Sequence, residues 1–492
     1  MNTVLGIDLG TQALKAVCYD FESQAIVASE SSPLDLYQGD AGVAEQQSHW
    51  WINALRDAVG KIDPEVRASV RATAVSGQQH GFVAIDKASE VLAPVKLWCD
   101  TSTETECDEI MANFGGREAC IENVGNPILP GYTASKVRWL AKEHDALYQK
   151  MDCILLPHDY VNLYLTGERC MEAGDASGTG FLDIRTRKFS AEMLRAIDPD
   201  RDLAECLPTP RLANETIGTL RQSIANELGL PPGIPVGVGG GDNMMGAIGT
   251  GNVRPGNVTM SLGTSGTVYA YADKPIIDPK GNIAAFCSST GGWLPLLCTM
   301  NCTVSTELMR GLLGADIASF EAQVARASRG ADGVITLPFF NGERTPNLPN
   351  ARGCIVGLNS QNMESANLLR SAVEGATYAL KFGIDELAGL GVETKEIVVT
   401  GGGSRSETWR QLVADICGAP VTVLLQDEGA AFGAALQALQ VIEGGSIEEL
   451  ADAHINKDET RSCEPRTAAV NFYRDSYEEY QRAVTAVSSL YA

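Results

Sequence analysis

The 492-residue chain has no Cys-x-x-Cys pair and no excess of positive charge, and it has no run of about 18 consecutive apolar residues of the kind that spans a bilayer. Its closest cysteines, Cys298 and Cys302, have no nearby histidine to complete a zinc site. The 13 scattered cysteines therefore read as reduced, buried thiols of a cytoplasmic protein. The N-terminus lacks a basic leader and an apolar core, so a signal peptide is not expected. Lys plus Arg number 38 against 62 Asp plus Glu, a net charge of −24. Such a chain binds nucleic acid and anionic membranes poorly. It also repels a nucleotide at long range, so any ATP site, were there one, would have to rely on local donors and a metal ion. Three familiar signatures are missing as well. There is no Gly-x-x-x-x-Gly-Lys-[Ser/Thr] loop, no dinucleotide fingerprint after a strand, and no serine-nucleophile elbow at a strand–helix junction.

What is present is an ordinary globular balance, 44% hydrophobic and 20% charged, over a length that exceeds one domain. Glycine is abundant, 50 residues or about one in ten. Strand-like and helical runs alternate, which predicts an α/β protein. Val4–Leu9 and Leu14–Tyr19 flank a Gly10-Thr11-Gln12 turn and predict a hairpin. Residues 70–75 and 82–85 read as strands around a polar loop. Residues 45–59 read as an amphipathic helix with Trp50, Trp51, Leu55 and Val59 inward. Residues 199–235 are rich in proline and polar side chains and read as a connection. Leu369, Val373, Ala376, Leu380, Gly383 and Leu387 share one face of a long helix. Residues 397–400 predict a strand, followed by three glycines and a helix over 406–417. The charged, helical tail beyond 445 offers no chemistry.

An internal echo organises these elements. Asp8-Leu9-Gly10-Thr11 recurs 253 residues later as Ser261-Leu262-Gly263-Thr264, each time between two strands. The offset is close to half the chain, which suggests a duplicated domain.

Several motifs could carry chemistry. Asp8 closes an apolar strand, where an unpaired carboxylate is costly. A hydrated Mg²⁺ would offset that cost, and the adjoining turn could cradle an anion with its N–H groups. A turn-forming aspartate is an equal reading of the same residues. Gly239-Gly240-Gly241-Asp242-Asn243 follows an apolar strand and precedes a helix, which would place Asp242 at the N-cap. There the helix N-terminus would keep the carboxylate ionised, able to accept a hydroxyl proton. Thr400-Gly401-Gly402-Gly403-Ser404-Arg405 follows a strand, as nucleotide-binding turns do. Gly77-Gln78-Gln79-His80-Gly81 and Leu97-Trp98-Cys99-Asp100 offer amide, imidazole, indole and carboxylate groups suited to a polyhydroxylated substrate. Taken singly, His80 reads as a loop histidine and Trp98 as a core residue. Asn341-Gly342-Glu343-Arg344-Thr345-Pro346 reads as a loop with a local Glu–Arg pair.

Taken together and in this order, these motifs resemble the FGGY carbohydrate kinases over about residues 4–440. Leu155-Leu156-Pro157-His158-Asp159-Tyr160, followed by Leu165-Thr166-Gly167, points within that family to kinases of a ketopentose. The resemblance implies two ribonuclease-H-like domains of the actin and sugar-kinase type with an ATP and sugar cleft. Residues 1–245 would form the sugar-binding domain and 246–492 the nucleotide-binding domain. It implies Asp242 as catalytic base and Asp8 at the Mg²⁺ and phosphate end. Gly10, Thr11 and Gln12, with Gly263, Thr264 and Ser265, would line the phosphates. Gly401, Gly402, Gly403 and Arg405 would flank the adenosine. Gln79, His80, Trp98, Asp100, Asp242 and Asn243 would contact the sugar. Cys99 stands where the family often has an asparagine, and a thiol is the poorer hydrogen-bonding group. The implied activity is ATP-dependent phosphorylation of a ketopentose, D-xylulose first, at its 5-hydroxyl. The expected assembly is a homodimer in the cytoplasm. The alternatives are a sister kinase for ribulose, fuculose, gluconate or glycerol, and a non-catalytic actin-type ATP switch.

Overall fold

The computed structural model describes residues 1–426 and 428–491. The elements that bear on function are β1 (Thr3–Leu9), β2 (Ala13–Asp20), β3 (Ala25–Pro33), α1 (Ser48–Lys61), β4 (Val70–Gly77), α2 (Pro157–Thr166), β5 (Thr216–Thr219), β6 (Pro235–Gly237), β7 (Gly240–Gly241) and α3 (Asp242–Gly249). They continue with β8 (Gly256–Leu262), β9 (Gly266–Ala270), β10 (Leu296–Thr299), α4 (Ser365–Gly389), β11 (Thr394–Thr400), α5 (Glu407–Cys417), β12 (Val421–Thr422) and α6 (Gly429–Glu443).

The chain forms two compact units that are not consecutive halves. One comprises Met1–Arg254, Ala272–Leu294 and Glu428–Ile455. The other comprises Pro255–Tyr271, Pro295–Asp427 and Asn456–Ala492. The first unit takes back two later segments for physical reasons. Ala285 and Cys287 complete one of its apolar cores. Helix α6 lies against β1 and α3 at backbone contact: a Cβ on Gly6 would fall 1.9 Å from Ala431 O, and one on Gly433 would fall 1.8 Å from Met245 O. No side chain fits there, and only glycine permits the approach.

In the first unit the sheet order is β5-β6-β4-β1-β2-β3, with β7 also pairing β4. β1, β2 and β3 form an antiparallel meander, and β4 runs parallel to β1. Apolar side chains of the sheet and of α1 form one core, including Leu5, Ile7, Leu9, Trp51, Leu55 and Val59. Helix α1 starts at Ser48 rather than at residue 45, because Glu45 and Gln46 pair as a strand with Lys96 and Val95. Trp50 is only partly buried, unlike its neighbour Trp51. The expected connection 199–235 instead holds β5 and a helix over Gln222–Leu228. Its apolar residues Ile217, Leu220, Ile224 and Leu228 are buried in the same core.

The second unit repeats the plan. Its sheet order is β10-β9-β8-β11-β12, with β8, β9 and β10 antiparallel and β11 parallel to β8. In both units a three-stranded meander takes a later parallel strand on its first strand, and the shared opening hairpin is the part that the duplicated motif implied. On α4 the six residues expected to share a face are all buried. All thirteen cysteines are free. Among the described residues no helix is long and apolar enough to cross a membrane.

Candidate active site

Strand register gathers the acidic motifs of the first unit. Asp8 pairs with Ser76 across β1 and β4, and Ser76 pairs with Gly240 across β4 and β7. The carboxyl ends of three parallel strands thus deliver Asp8, Ser76 and the Gly-Gly-Asp turn to one edge, the usual place for a ligand in such sheets. Ser76 Oγ donates to Asp8 Oδ1 at 2.7 Å. Lys15 faces Asp8 across the hairpin and bonds Glu428 at 2.7 Å. Burial raises the Asp8 pKa above its ordinary value, against the lowering effects of Ser76 and Lys15.

Asp242 is the first residue of α3, and its N-cap is Gly241. The expectation of Asp242 as N-cap is corrected by one position, because β7 carries extended backbone through Gly241. Its Oδ1 accepts from Asn243 N at 2.7 Å and from Asn243 Nδ2 at 2.9 Å. These bonds favour the ionised form, yet the pKa is raised to about 7, first by burial and then by the negative charge of Asp8. The expected effect of the helix N-terminus is therefore outweighed. The carboxyl group titrates near neutrality, where a general base is most effective.

The polar loop after β4 adjoins this edge. Asn243 Nδ2 donates to Gln79 Oε1 at 2.8 Å, tying Gln79 to the first turn of α3. Gln79 and His80 are nearly buried, and His80 has φ of +66°. Trp98 is partly buried and donates from Nε1 to Thr11 Oγ1 at 3.0 Å. Thr11 Oγ1 donates in turn to Gln78 Oε1 at 2.9 Å. The single hydroxyl hydrogen of Thr11 is thereby engaged inside the protein. Gln12, beside it, is exposed. Gly10 closes the turn through its N–H to Ala13 O at 3.0 Å.

Asp100 departs from the expected sugar contact. It is fully buried and accepts from Ala44 N at 2.8 Å, Lys96 Nζ at 3.1 Å, Ser102 N at 3.0 Å and Ser102 Oγ at 2.6 Å. Four donors occupy its acceptor sites, so its side chain ties the loop together rather than receiving a hydroxyl. Cys99, partly buried, has its thiol pKa raised by burial.

In the second unit the two glycine turns come together. Gly401 has φ of +81°, and a Cβ there would lie 2.9 Å from the backbone C and O of Leu262 and 3.1 Å from Gly263 N. The β8–β9 turn, Gly263-Thr264-Ser265, accepts through Gly263 O and Thr264 O from the N–H groups of Thr303 and Cys302, both at 2.9 Å. Gly402 faces open space, and Gly403 is buried against Leu262 and the Trp409 ring. Arg405 is exposed at the end of this turn. The glycine turn winds as a short 3-10 helix before α5, and Ser406 caps α5 by accepting from Trp409 N at 3.0 Å. Glu343 accepts from Met300 N at 2.7 Å, Arg344 N at 2.8 Å and Asn301 Nδ2 at 3.2 Å. The expected Glu343–Arg344 ion pair is replaced by these loop bonds.

Sequence reading missed the buried polar residues behind the polar loop that follows β4. His158 on α2 lies between Asp159 and Asp175, at 3.0 and 2.8 Å. Glu172, fully buried, accepts from Gly174 N and Asp175 N, and burial raises its pKa to about 7. Lys136, also fully buried, has its pKa lowered by burial to about 7 and donates to Gly131 O at 2.6 Å. The sequence held one signal for these, the polar His158-Asp159 pair set in an apolar helix. Among the described residues no three His, Cys, Asp or Glu side chains gather as a metal cage. Mg²⁺ needs no such cage, since one or two carboxylates with water and phosphate oxygens suffice. The mutual repulsion of Asp8 and Asp242 is the kind a cation relieves.

The N-terminal domain of the FGGY family of carbohydrate kinases matches residues 3–249, and its C-terminal domain matches residues 258–440. The xylulose kinase of Haemophilus influenzae is 41% identical over 494 residues, covering 99% of this chain and 100% of that protein. The xylulose kinase of Streptomyces rubiginosus is 36% identical, covering 90% of this chain and 88% of that protein. The crystal structure of a xyloylose kinase from Brucella ovis superposes with a TM-score of 0.91 at 30% identity, covering 99% of this chain and 100% of that one.

Proposed function

As the chain belongs to the FGGY family of carbohydrate kinases, we propose that it transfers the γ-phosphoryl group of ATP to the 5-hydroxyl of D-xylulose, giving D-xylulose 5-phosphate and ADP. It is a kinase, and xylulose is favoured over the sister substrates by full-length relatives named xylulose kinase. The observation that carries the mechanism is Asp242, a carboxylate at the start of α3 with its pKa at about 7, joined through Asn243 to Gln79.

In this reading Gln79, His80, Trp98 and Asn243 orient the sugar. Asp242 accepts the proton of the 5-hydroxyl as its oxygen bonds to the γ-phosphorus, and the bond from phosphorus to the bridging oxygen of ADP breaks in line. The transition state is loose, so placement of the hydroxyl counts for more than the strength of the base. Asp100 acts one step removed by fixing the Trp98 loop. The hydroxyl hydrogen of Thr11 is already committed, so the first glycine turn would serve the phosphates through its backbone. The Gly401–Gly403 turn would take the adenosine, with Gly402 giving open backbone and Arg405 at the rim. Mg²⁺, held by Asp8 and water, would neutralise charge on the phosphate oxygens. A homodimer acting in the cytoplasm completes the proposal. Thirteen free thiols suit a reducing compartment, and sedimentation velocity measures the dimer.

The test is ADP release in a coupled assay with Mg²⁺-ATP and a panel of D-xylulose, ribulose, fuculose, gluconate and glycerol. D-xylulose is expected to give the highest kcat/KM. Preference for another member relocates the error to the loop around Gln79 and His80, and ATP turnover indifferent to every sugar rejects the kinase mechanism.

A further inference from the structure

We propose that Asp175 is a positioning residue that fixes the ring orientation and tautomer of His80 for the sugar. The proposal rests on the reading of His80 as a sugar contact. His80 holds a backbone conformation that costs a histidine energy, φ of +66°. Its surroundings must therefore over-determine it. Thr133 Oγ1 donates to His80 O at 3.0 Å. The ring lies over Gly178, where a Cβ would come within 1.8 Å of Cε1 and 2.1 Å of Nδ1. Tyr132 and Phe286 flank it, with ring centroids 5.2 and 5.3 Å away. These contacts fix where the ring sits, and they are indifferent to which nitrogen carries the proton.

Asp175 supplies that distinction. Its Oδ1 lies 3.9 Å from His80 Nδ1. Burial raises the Asp175 pKa, against the lowering effects of His158 and of the His80 backbone N–H. At this distance the contact with the ring is electrostatic rather than a hydrogen bond, and burial leaves it weakly screened. The other oxygen of Asp175 faces His158 Nδ1 at 2.8 Å, and His158 Nε2 faces Asp159 Oδ1 at 3.0 Å. Asp159 is anchored in turn by Leu156 N at 3.0 Å. All three side chains of this set are fully buried. Asp159 and Asp175 raise the His158 pKa against the effect of burial, and Asp175 keeps Oδ1 on the side that faces His80. A buried ionic set is a poor device for stability alone. A carboxylate oxygen beside Nδ1 draws the ring proton to Nδ1 and leaves Nε2 as an acceptor for a sugar hydroxyl.

Two experiments test this. In wild-type protein labelled with ¹⁵N-histidine, NMR is expected to show the His80 ring protonated at Nδ1, with the Nε2 resonance moving when D-xylulose is added. A ring bare at Nδ1 overturns the proposal, and this readout needs no variant to fold. In kinetics, Asp175→Asn is expected to raise the sugar KM by roughly 10- to 100-fold, the usual cost of a misplaced contact, and to leave the ATP KM unchanged. In a His80→Ala background the same substitution should change the sugar KM by less than about twofold, because its route of action is gone. Equal factors in both backgrounds, or an ATP KM that rises in step, overturn the positioning role. If His80→Ala alone leaves the sugar KM unchanged, the reading of His80 as a sugar contact fails, and the proposal fails with it.

Discussion

Asp242 is pulled in two directions. Asn243 and the start of α3 favour its charge, while burial and Asp8 oppose it, and the opposition wins, setting the pKa at about 7. Below that value the carboxyl group holds a proton and cannot take one from the sugar. The kcat/KM for the sugar should therefore rise with pH through about 7 and then level. A profile flat between pH 5.5 and 8.5 would contradict the assignment. Asp242→Asn should lower kcat by ~10²–10⁴, the weight of a general base. Stability has the opposite sign. An acid whose folded pKa exceeds its unfolded one costs stability as pH rises between the two, so the variant's melting temperature should equal or exceed the wild type's above pH 7. The sequence made Asp242 visible through its glycines and the helix that follows. It could not show the raised pKa, which depends on a residue 234 positions away in the chain. Asp100 and Thr11 were legible as polar residues in the right loops, but the number of donors already bound to each is a fact of packing alone.

At the scale of elements, both hairpins were legible because a glycine turn between apolar strands has few other solutions. Their parallel partners were not. That β4 lies on β1 and β11 on β8 is decided by long-range pairing, and residues 199–235 hid β5 and a helix behind prolines. The parallel pairing bears on the proposed function because it brings the Gly401 turn against the backbone of Leu262 and Gly263. It also separates two glycines with different duties. Gly401 has φ of +81° and no room for a side chain, whereas Gly402 faces open space. Gly401→Ala should lower the melting temperature of the protein by strain at the turn. Gly402→Ala should keep the melting temperature and raise the KM for ATP several-fold, roughly 1 kcal/mol of lost contact, with the sugar KM unaltered. An unchanged ATP KM in Gly402→Ala would move the adenosine off this turn.

At the scale of the whole molecule, duplication was legible from a four-residue echo, but the interleaving of the two units was not. Helix α6 returns to the first unit because Gly6 of β1 and its own Gly433 allow backbone contact with β1 and α3, and a run of small residues does not name its partner in advance. Net charge, by contrast, is read from composition alone and acts without any fold. At −24 the chain repels the anionic Mg²⁺-ATP complex at distances beyond the reach of the glycine turns. Salt should relieve that repulsion. Raising ionic strength from about 0.01 to 0.15 M shortens the Debye length from roughly 30 to 8 Å. The kcat/KM for ATP should then rise by a factor of roughly 2–5 as the long-range field is screened, while the kcat/KM for the uncharged sugar stays level. The contrast between the two substrates isolates the field, since a general effect of salt on the enzyme would move both. A fall for ATP alone would mean that local positive charge, Arg405 among it, governs the approach of the nucleotide more strongly than the acidic surface does.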